Sequence, residues 1–265
     1  MRKPALVVSD LDGTLMEANT AGLEPRTLAA IQRLLDAGIP FMPASGRQYP
    51  NVRNMLSSLR GDLSYVCENG VVAYMGGELV YRAMLDHGLG IEIIRAIQER
   101  EGCKPMVSGV ETYYIEQRSP SFEQYLVEGC GFTVTCPDDL LDIGEPYGKI
   151  SAFYADSVKD DLRYWTERFG SRCSVTTSGD KWIDIMPMGV NKAVALRAVL
   201  KQMGIDPRDV IAFGDARNDV EMLKLVGCPI AKADGAPEAI AQARYTTDDV
   251  ASSLASILEG SGFDW

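Results

Sequence analysis

The sequence predicts an α/β protein: a doubly wound parallel sheet whose chain is interrupted by an inserted α+β unit. Three observations carry this. Ala5-Leu6-Val7-Val8 is an apolar run of the kind that forms a strand buried on both faces. Strand and helix patterns alternate from there to about residue 82 and resume at Asn191. Between these stretches the pattern changes to strand-rich segments with a few helices.

The elements follow in order. After the first strand, Leu28, Ile31, Leu34 and Leu35 recur at helical spacing within Pro25 to Ala37. Pro25 suits the first turn and Gly38 the stop. Ile39 to Ala44 reads as a second strand whose pairing Pro43 confines or ends. Ser45-Gly46-Arg47 follows, then a helix around Pro50 to Leu59, then a third strand at Tyr65 to Cys67. The turn pairs Asn69-Gly70 and Gly76-Gly77 set off a hairpin of Val71 to Tyr74 and Leu79 to Tyr81.

Beyond Arg82, Ile91, Ile94 and Ile97 mark a helix, and Thr112 to Ile115 a strand. A short helix near Ser121 to Val127 precedes strands at Phe132 to Thr135 and Lys149 to Tyr154. A helix from about Lys159 to Phe169 leads to strands Ser174 to Thr177 and Trp182 to Ile185. The first pattern then resumes with helix Lys192 to Met203, closed by Gly204, strand Val210 to Phe213 and helix Glu221 to Val226. The layout is a Rossmann-like core, residues 1–83 and 187–265, around an inserted α+β domain, residues 84–186.

Composition narrows the function classes. With 26 basic against 37 acidic residues the formal charge is −11, which argues against a general nucleic-acid or anionic-membrane surface. Phosphorylated substrates remain open, because a divalent cation and a few Lys or Arg reverse the field locally. No apolar segment approaches a membrane span and no signal-peptide pattern precedes the first strand. The six cysteines form no CxxC pair, which fits reduced thiols in a cytoplasmic protein. A single histidine, His87, in an expected loop, leaves no basis for a Ser-His-Asp triad or a His-rich zinc site.

Four segments fall at expected strand ends or helix starts of the core. The first strand delivers Asp10-Leu11-Asp12-Gly13-Thr14 to the carboxyl edge of the sheet, where α/β proteins bind ligands. In extended chain Asp10 and Asp12 point the same way, and their mutual repulsion calls for a cation or a shared proton. Ser45 follows the second strand, Lys192 opens a helix, and Gly214-Asp215-Ala216-Arg217-Asn218-Asp219 follows the strand at Val210. No Gly-x-Gly-x-x-Gly follows the first strand, which sets aside a dinucleotide-dependent dehydrogenase.

Together these segments resemble the haloacid dehalogenase-like (HAD) superfamily of phosphohydrolases. Ser45-Gly46-Arg47, Glu68-Asn69-Gly70 and Gly189-Val190-Asn191-Lys192 resemble its Cof-type branch, and the insert is similar in size to that branch's type IIB (C2B) cap. The resemblance implies a Mg²⁺-dependent phosphatase of small phosphorylated metabolites, sugar phosphates first. Asp10 would attack phosphorus to give an aspartyl-phosphate, and Asp12 would act as general acid and then base. Ser45, Lys192 and the amides near Gly46 would hold the equatorial oxygens. The implied metal ligands are Asp10, the Asp12 carbonyl and Asp215. Asn218 would contact phosphate, and Asp219 would orient Lys192 or a metal-bound water. Arg47 would touch substrate or form a structural ion pair. A phosphosugar mutase using the same aspartyl-phosphate is the alternative, and a non-catalytic metabolite-binding protein the third reading.

Overall fold

The computed structural model describes residues 3–18, 20–116, 120–158 and 161–263. They form two compact units, Met1–Tyr81 with Asn191–Trp265, and Arg82–Val190.

In the first unit, β1 (Leu6–Ser9) is buried at every residue and leads through a turn to α1 (Pro25–Asp36). Pro25 starts that helix, and Gly38 ends the segment in the left-handed region. β2 (Phe41–Pro43) is only three residues long, because Pro43 curtails its pairing. α2 (Tyr49–Met55) is shorter than its periodicity suggests. Its last turn tightens to i−3 bonds, Ser57 N donating to Asn54 O and Leu59 N to Leu56 O, and the helix does not reach Leu59. β3 (Ser64–Cys67), expected to extend the parallel sheet, instead pairs antiparallel with β4 (Val72–Met75), with β5 (Glu78–Arg82) beyond the Gly76-Gly77 turn. One parallel bridge, Ala44 to Val66, ties this small sheet to the end of β2.

The second unit is one six-stranded sheet with helices. α3 (His87–Glu99) is capped by Asp86, which accepts from Leu89 N at 2.9 Å, so His87 opens a helix and does not sit in a loop. β6 (Cys103–Ser108) has no counterpart among the expected strands, because Lys104-Pro105 hides its pattern. β7 (Tyr113–Ile115) pairs with it only from Met106 onward, so Pro105 has a neighbouring strand on one side alone. α4 (Pro120–Gln124) widens into a π turn at Tyr125–Gly129 and precedes β8 (Val134–Thr135) and β9 (Lys149–Tyr154). α5 (Asp161–Phe169) follows; its expected start at Lys159 lies outside the described residues. β10 (Cys173–Thr177) and β11 (Trp182–Pro187) complete the strand order β10-β11-β9-β6-β7-β8, antiparallel except for the β7–β8 pair. Ile93, Ile94 and Ile97 of α3 and Trp165 and Phe169 of α5 pack on Val107, Ile150, Ile183 and Ile185. Phe122 and Leu126 cluster with Met106, Phe153 and Trp182, which alternate with those positions and so lie on the opposite face. This is the expected α+β character.

The chain then returns to the first unit. α6 (Lys192–Met203) is capped by Asn191, which accepts from Val194 N, and closed by left-handed Gly204. β12 (Val210–Gly214), α7 (Val220–Leu225), β13 (Cys228–Lys232), α8 (Pro237–Ile240), β14 (Tyr245–Thr247) and α9 (Val250–Glu259) follow. The core sheet is parallel throughout, in the order β14-β13-β12-β1-β2. Leu6 and Val8 bury against Ala195, Leu196, Val199 and Leu200 of α6, while α1 packs beside α9. β1 and β12 are neighbours, so their C-terminal ends bring the first and last motifs together.

No helix among the described residues is long and apolar enough to cross a membrane. All six cysteines are free thiols.

Candidate active site

The β1–β12 ladder positions the site. Pairing runs to Ser9–Phe213, and Asp10 N then donates to Phe213 O at 3.0 Å, so the strand carries Asp10 one rung past its last pair. Gly13 turns the chain at φ +90°, and Thr14 and Leu15 donate back to Leu11 O. A Cβ on Gly13 would lie 2.5 Å from an oxygen of Asp215, so only glycine lets the two motifs approach so closely.

Lys192 enters from the first turn of α6, fully buried. Its Nζ donates to Asp10 Oδ1 at 2.5 Å and to Asp219 Oδ1 at 2.7 Å. The other oxygen of Asp219 accepts from the backbone N–H groups of Asp215 and Ala216, both at 3.0 Å. Asp219 therefore orients Lys192 and also shapes the loop that carries Asp215. Asp215 in turn accepts a short hydrogen bond from Thr14.

Among the described residues, Asp10, Asp215 and Asp219 form one carboxylate cluster, each offering an oxygen within 4.8 Å of the others'. One ammonium against three carboxylates leaves negative charge uncompensated in a buried place, where ions are expensive. The proton affinities follow. Burial pushes Asp10 well above the usual carboxylate range, with Asp219 and Asp215 adding to it and Lys192 opposing. Asp215 rises to about 6, again through burial first and Asp219 second. Burial opposes the charge on Lys192, but Asp10 and Asp219 outweigh it and hold the ammonium above the ordinary lysine range. Hard oxygen donors with a shared negative excess are the chemistry of a Mg²⁺-type site, and the residues present fit such an ion.

Ser45, Gly46 and Arg47 lie at a bend directly after β2. Ser45 N donates to Val66 O, and its Oγ accepts from Arg47 N at 3.1 Å. The guanidinium of Arg47 grips Asp12 with two prongs, Nε to Oδ2 and Nη2 to Oδ1, both at 2.7 Å. The Asp12 side chain thus faces Arg47 and is not one of the three clustered carboxylates. Of the two roles expected for Arg47, this geometry is the ion pair.

Asn218 Nδ2 donates to Asn69 Oδ1 at 2.9 Å, while its buried Oδ1 has no partner among the described residues. A buried acceptor suits a donor or a hydrated cation better than a phosphate oxygen. Asn69 N donates to Ser45 O and Glu68 N to Arg47 O, so the Glu68–Gly70 turn braces the second motif. Glu68 and Asn69 both adopt positive φ, and a Cβ on Gly70 would lie 2.1 Å from Asn191 O. In sequence Asn69-Gly70 is a hairpin signal; here it connects the second motif to the last one. The clue was its place directly after a strand end.

The family model for haloacid dehalogenase-like hydrolases matches residues 7–258. An uncharacterized hydrolase of Schizosaccharomyces pombe is 31% identical over 261 residues, covering 92% of this chain and 85% of its own. The 5-amino-6-(5-phospho-D-ribitylamino)uracil phosphatase YbjI of Escherichia coli K12 is 24% identical over 241 residues, 91% and 89% of the two chains. The solved structure of a HAD subclass IIB sugar phosphatase superposes with a TM-score of 0.75 at 16% identity, over 94% of this chain and 97% of that one.

Proposed function

This chain belongs to the haloacid dehalogenase-like hydrolases, and we propose that it is a Mg²⁺-dependent phosphatase of small phosphorylated metabolites, with sugar phosphates foremost. The observation that carries the reading is the buried Asp10–Lys192–Asp219 group at the sheet edge with Asp215 beside it. The names of the relatives support the substrate class: one is a phosphatase of a phosphoribityl compound and another a sugar phosphatase.

An oxygen of Asp10 bonds to phosphorus as the ester P–O bond breaks, giving an aspartyl-phosphate. Lys192, fixed by Asp219, holds the Asp10 carboxylate in place and supplies positive charge where the phosphoryl oxygens gather it. Asp12 gives its proton to the departing alcohol oxygen. It then takes a proton from water as that water attacks phosphorus, releasing phosphate and restoring Asp10. Ser45 and the Gly46 amide bind the phosphoryl oxygens, while Asn218, whose Nδ2 is given to Asn69, offers its buried Oδ1 to a donor or a hydrated cation. Asp10, Asp215 and the Asp12 carbonyl would hold Mg²⁺, which would supply positive charge beside the phosphoryl group.

The test is a panel of phosphate esters assayed with Mg²⁺, with EDTA and with Asp10→Asn. Phosphate release is expected from one or more sugar phosphates, abolished by EDTA and lowered about 10³-fold or more by Asp10→Asn. Release that survives both would refute an Asp10 ester. Isomerised sugar phosphate without free phosphate would favour the mutase.

A further inference from the structure

Arg47 is almost wholly buried, at 4% exposure, and its donors are directed at protein atoms. Besides the two bonds to Asp12, Nη1 donates to Asn51 Oδ1 of α2 at 3.2 Å, and Nη2 donates to the Thr20 carbonyl at 2.7 Å. Its backbone is fixed as well, through the N–H to Ser45 Oγ and the carbonyl to Glu68 N. A planar fork so restrained from every side sets both oxygens of the carboxylate it holds, which a flexible ammonium does not do.

We infer that Arg47 is the positioning residue for Asp12: it presents the carboxyl group in the one orientation from which proton transfer to and from the reacting oxygen occurs. This rests on the phosphatase reading above. In this structure the fork engages both Asp12 oxygens. For proton transfer one of these bonds opens, and the prong that remains keeps the carboxyl on a fixed point so that it does not sample free rotamers. In the first step the Asp12 O–H bond breaks and a proton joins the leaving oxygen as its bond to phosphorus opens. In the second, a water O–H gives its proton back to the same carboxylate. Asn51 acts one contact further out, by limiting the swing of the fork.

The inference separates from a phosphate-binding or purely structural role by its dependence on the leaving group. Departure of an alkoxide needs the proton from Asp12, whereas departure of a nitrophenolate barely does, and kcat/KM reports that first departure. Arg47→Ala, Arg47→Lys and Asp12→Asn are to be compared with the parent on a sugar or alkyl phosphate and on p-nitrophenyl phosphate, with Mg²⁺ present. Each variant is expected to lose about 10²-fold or more in kcat/KM on the alkyl ester, and at least tenfold less on the aryl ester. Asn51→Ala, which leaves the fork in place, gives the same pattern at smaller amplitude. The double variant Arg47→Ala with Asp12→Asn is expected to be no worse than Asp12→Asn alone.

Equal losses on both esters, or additive losses in the double variant, would overturn the positioning role in favour of phosphate binding or fold maintenance. Melting curves identify a variant that fails to fold. Arg47→Lys and Asn51→Ala then decide the matter. Were the parent itself inactive on every ester, the phosphatase reading would be what failed.

Discussion

At the scale of single residues, the site is defined by charge it cannot balance alone. Asp215 binds its proton up to about pH 6 in the folded chain, because burial and then Asp219 disfavour its anion. Unfolded, an aspartate titrates near 4. Between those values the folded state holds more protons, so stability falls as pH rises from about 4 to about 6, and the cost is complete above that. For Asp215 it is on the order of 3 kcal/mol, and Asp10 adds to it in the same direction. A divalent cation that binds only the folded site offsets this by mass action. Millimolar Mg²⁺ is therefore expected to raise the melting midpoint by roughly 5 °C at neutral pH, with the gain shrinking below about pH 6. Asp215→Asn should melt higher than the parent in EDTA and respond little to Mg²⁺. An Asp215→Asn protein that melts lower in EDTA and still gains fully from Mg²⁺ would contradict this account.

At the scale of elements, caps and turns decide where the chain stops, and α9 gives the clearest case. Asp249 accepts from Ser252 N at 3.1 Å at the start of that helix, and its carboxylate also pairs with Arg26 of α1, so one side chain caps α9 and ties it to the helix beside it. Burial works against the anion, but the Ser252 hydrogen bonds and Arg26 prevail, and the proton affinity of Asp249 ends below the usual value. Its contribution is then present above about pH 4 and lost as pH falls below it. Asp249→Ala is expected to cost about 1 kcal/mol in urea unfolding at neutral pH, with the gap to the parent closing toward pH 3. A gap that stays constant with pH would mean that the anion is not what stabilises the helix.

The same scale explains what could be read from sequence. Helices with a clean apolar period, α1, α3 and α6, were legible because one face of each meets a sheet. The four candidate site segments were legible because each sits where a strand or helix of the parallel sheet begins or ends. β6 was not, since Lys104-Pro105 breaks its alternation and pairing with β9 along its length and with β7 from Met106 onward holds it in place. The departure of β3 from the core sheet was hidden too, because nothing local distinguishes a third parallel strand from the first strand of a meander. β14 is only three residues long and Pro229 interrupts β13, so neither announces itself. α9 carries Asp249, Val250, Leu254, Ile257 and Gly260 at readable spacing, which a reading centred on the motifs passes over. In the site, the Arg47–Asp12 grip and the Asn69–Asn218 bond join residues 35 and 149 positions apart, and no local pattern encodes such pairs.

At the scale of the whole molecule, the chain folds as two differently built units. The unit holding the carboxylate cluster is discontinuous in sequence, and its central strand pair, β1 with β12, joins segments about two hundred positions apart. It therefore closes only when both ends of the chain are present. The unit Arg82–Val190 is continuous and has cores on both faces of its sheet. Trp165 and Phe169 are fully buried on one face, and Trp165 Nε1 donates to Tyr154 OH at 2.7 Å, so even its largest polar-tipped side chain is satisfied within the unit. A segment with its own core and short-range connections meets the conditions for an autonomous domain. Expressed alone, residues 82–190 are expected to unfold cooperatively in urea, with a stability on the order of 5 kcal/mol, and to show the near-ultraviolet signal of packed Trp165 and Trp182. Phe169→Ala should remove about 3–5 kcal/mol from it and abolish the cooperative transition. A fragment with secondary structure but no cooperative melt and no fixed aromatic signal would show instead that this unit depends on the rest of the chain for its packing.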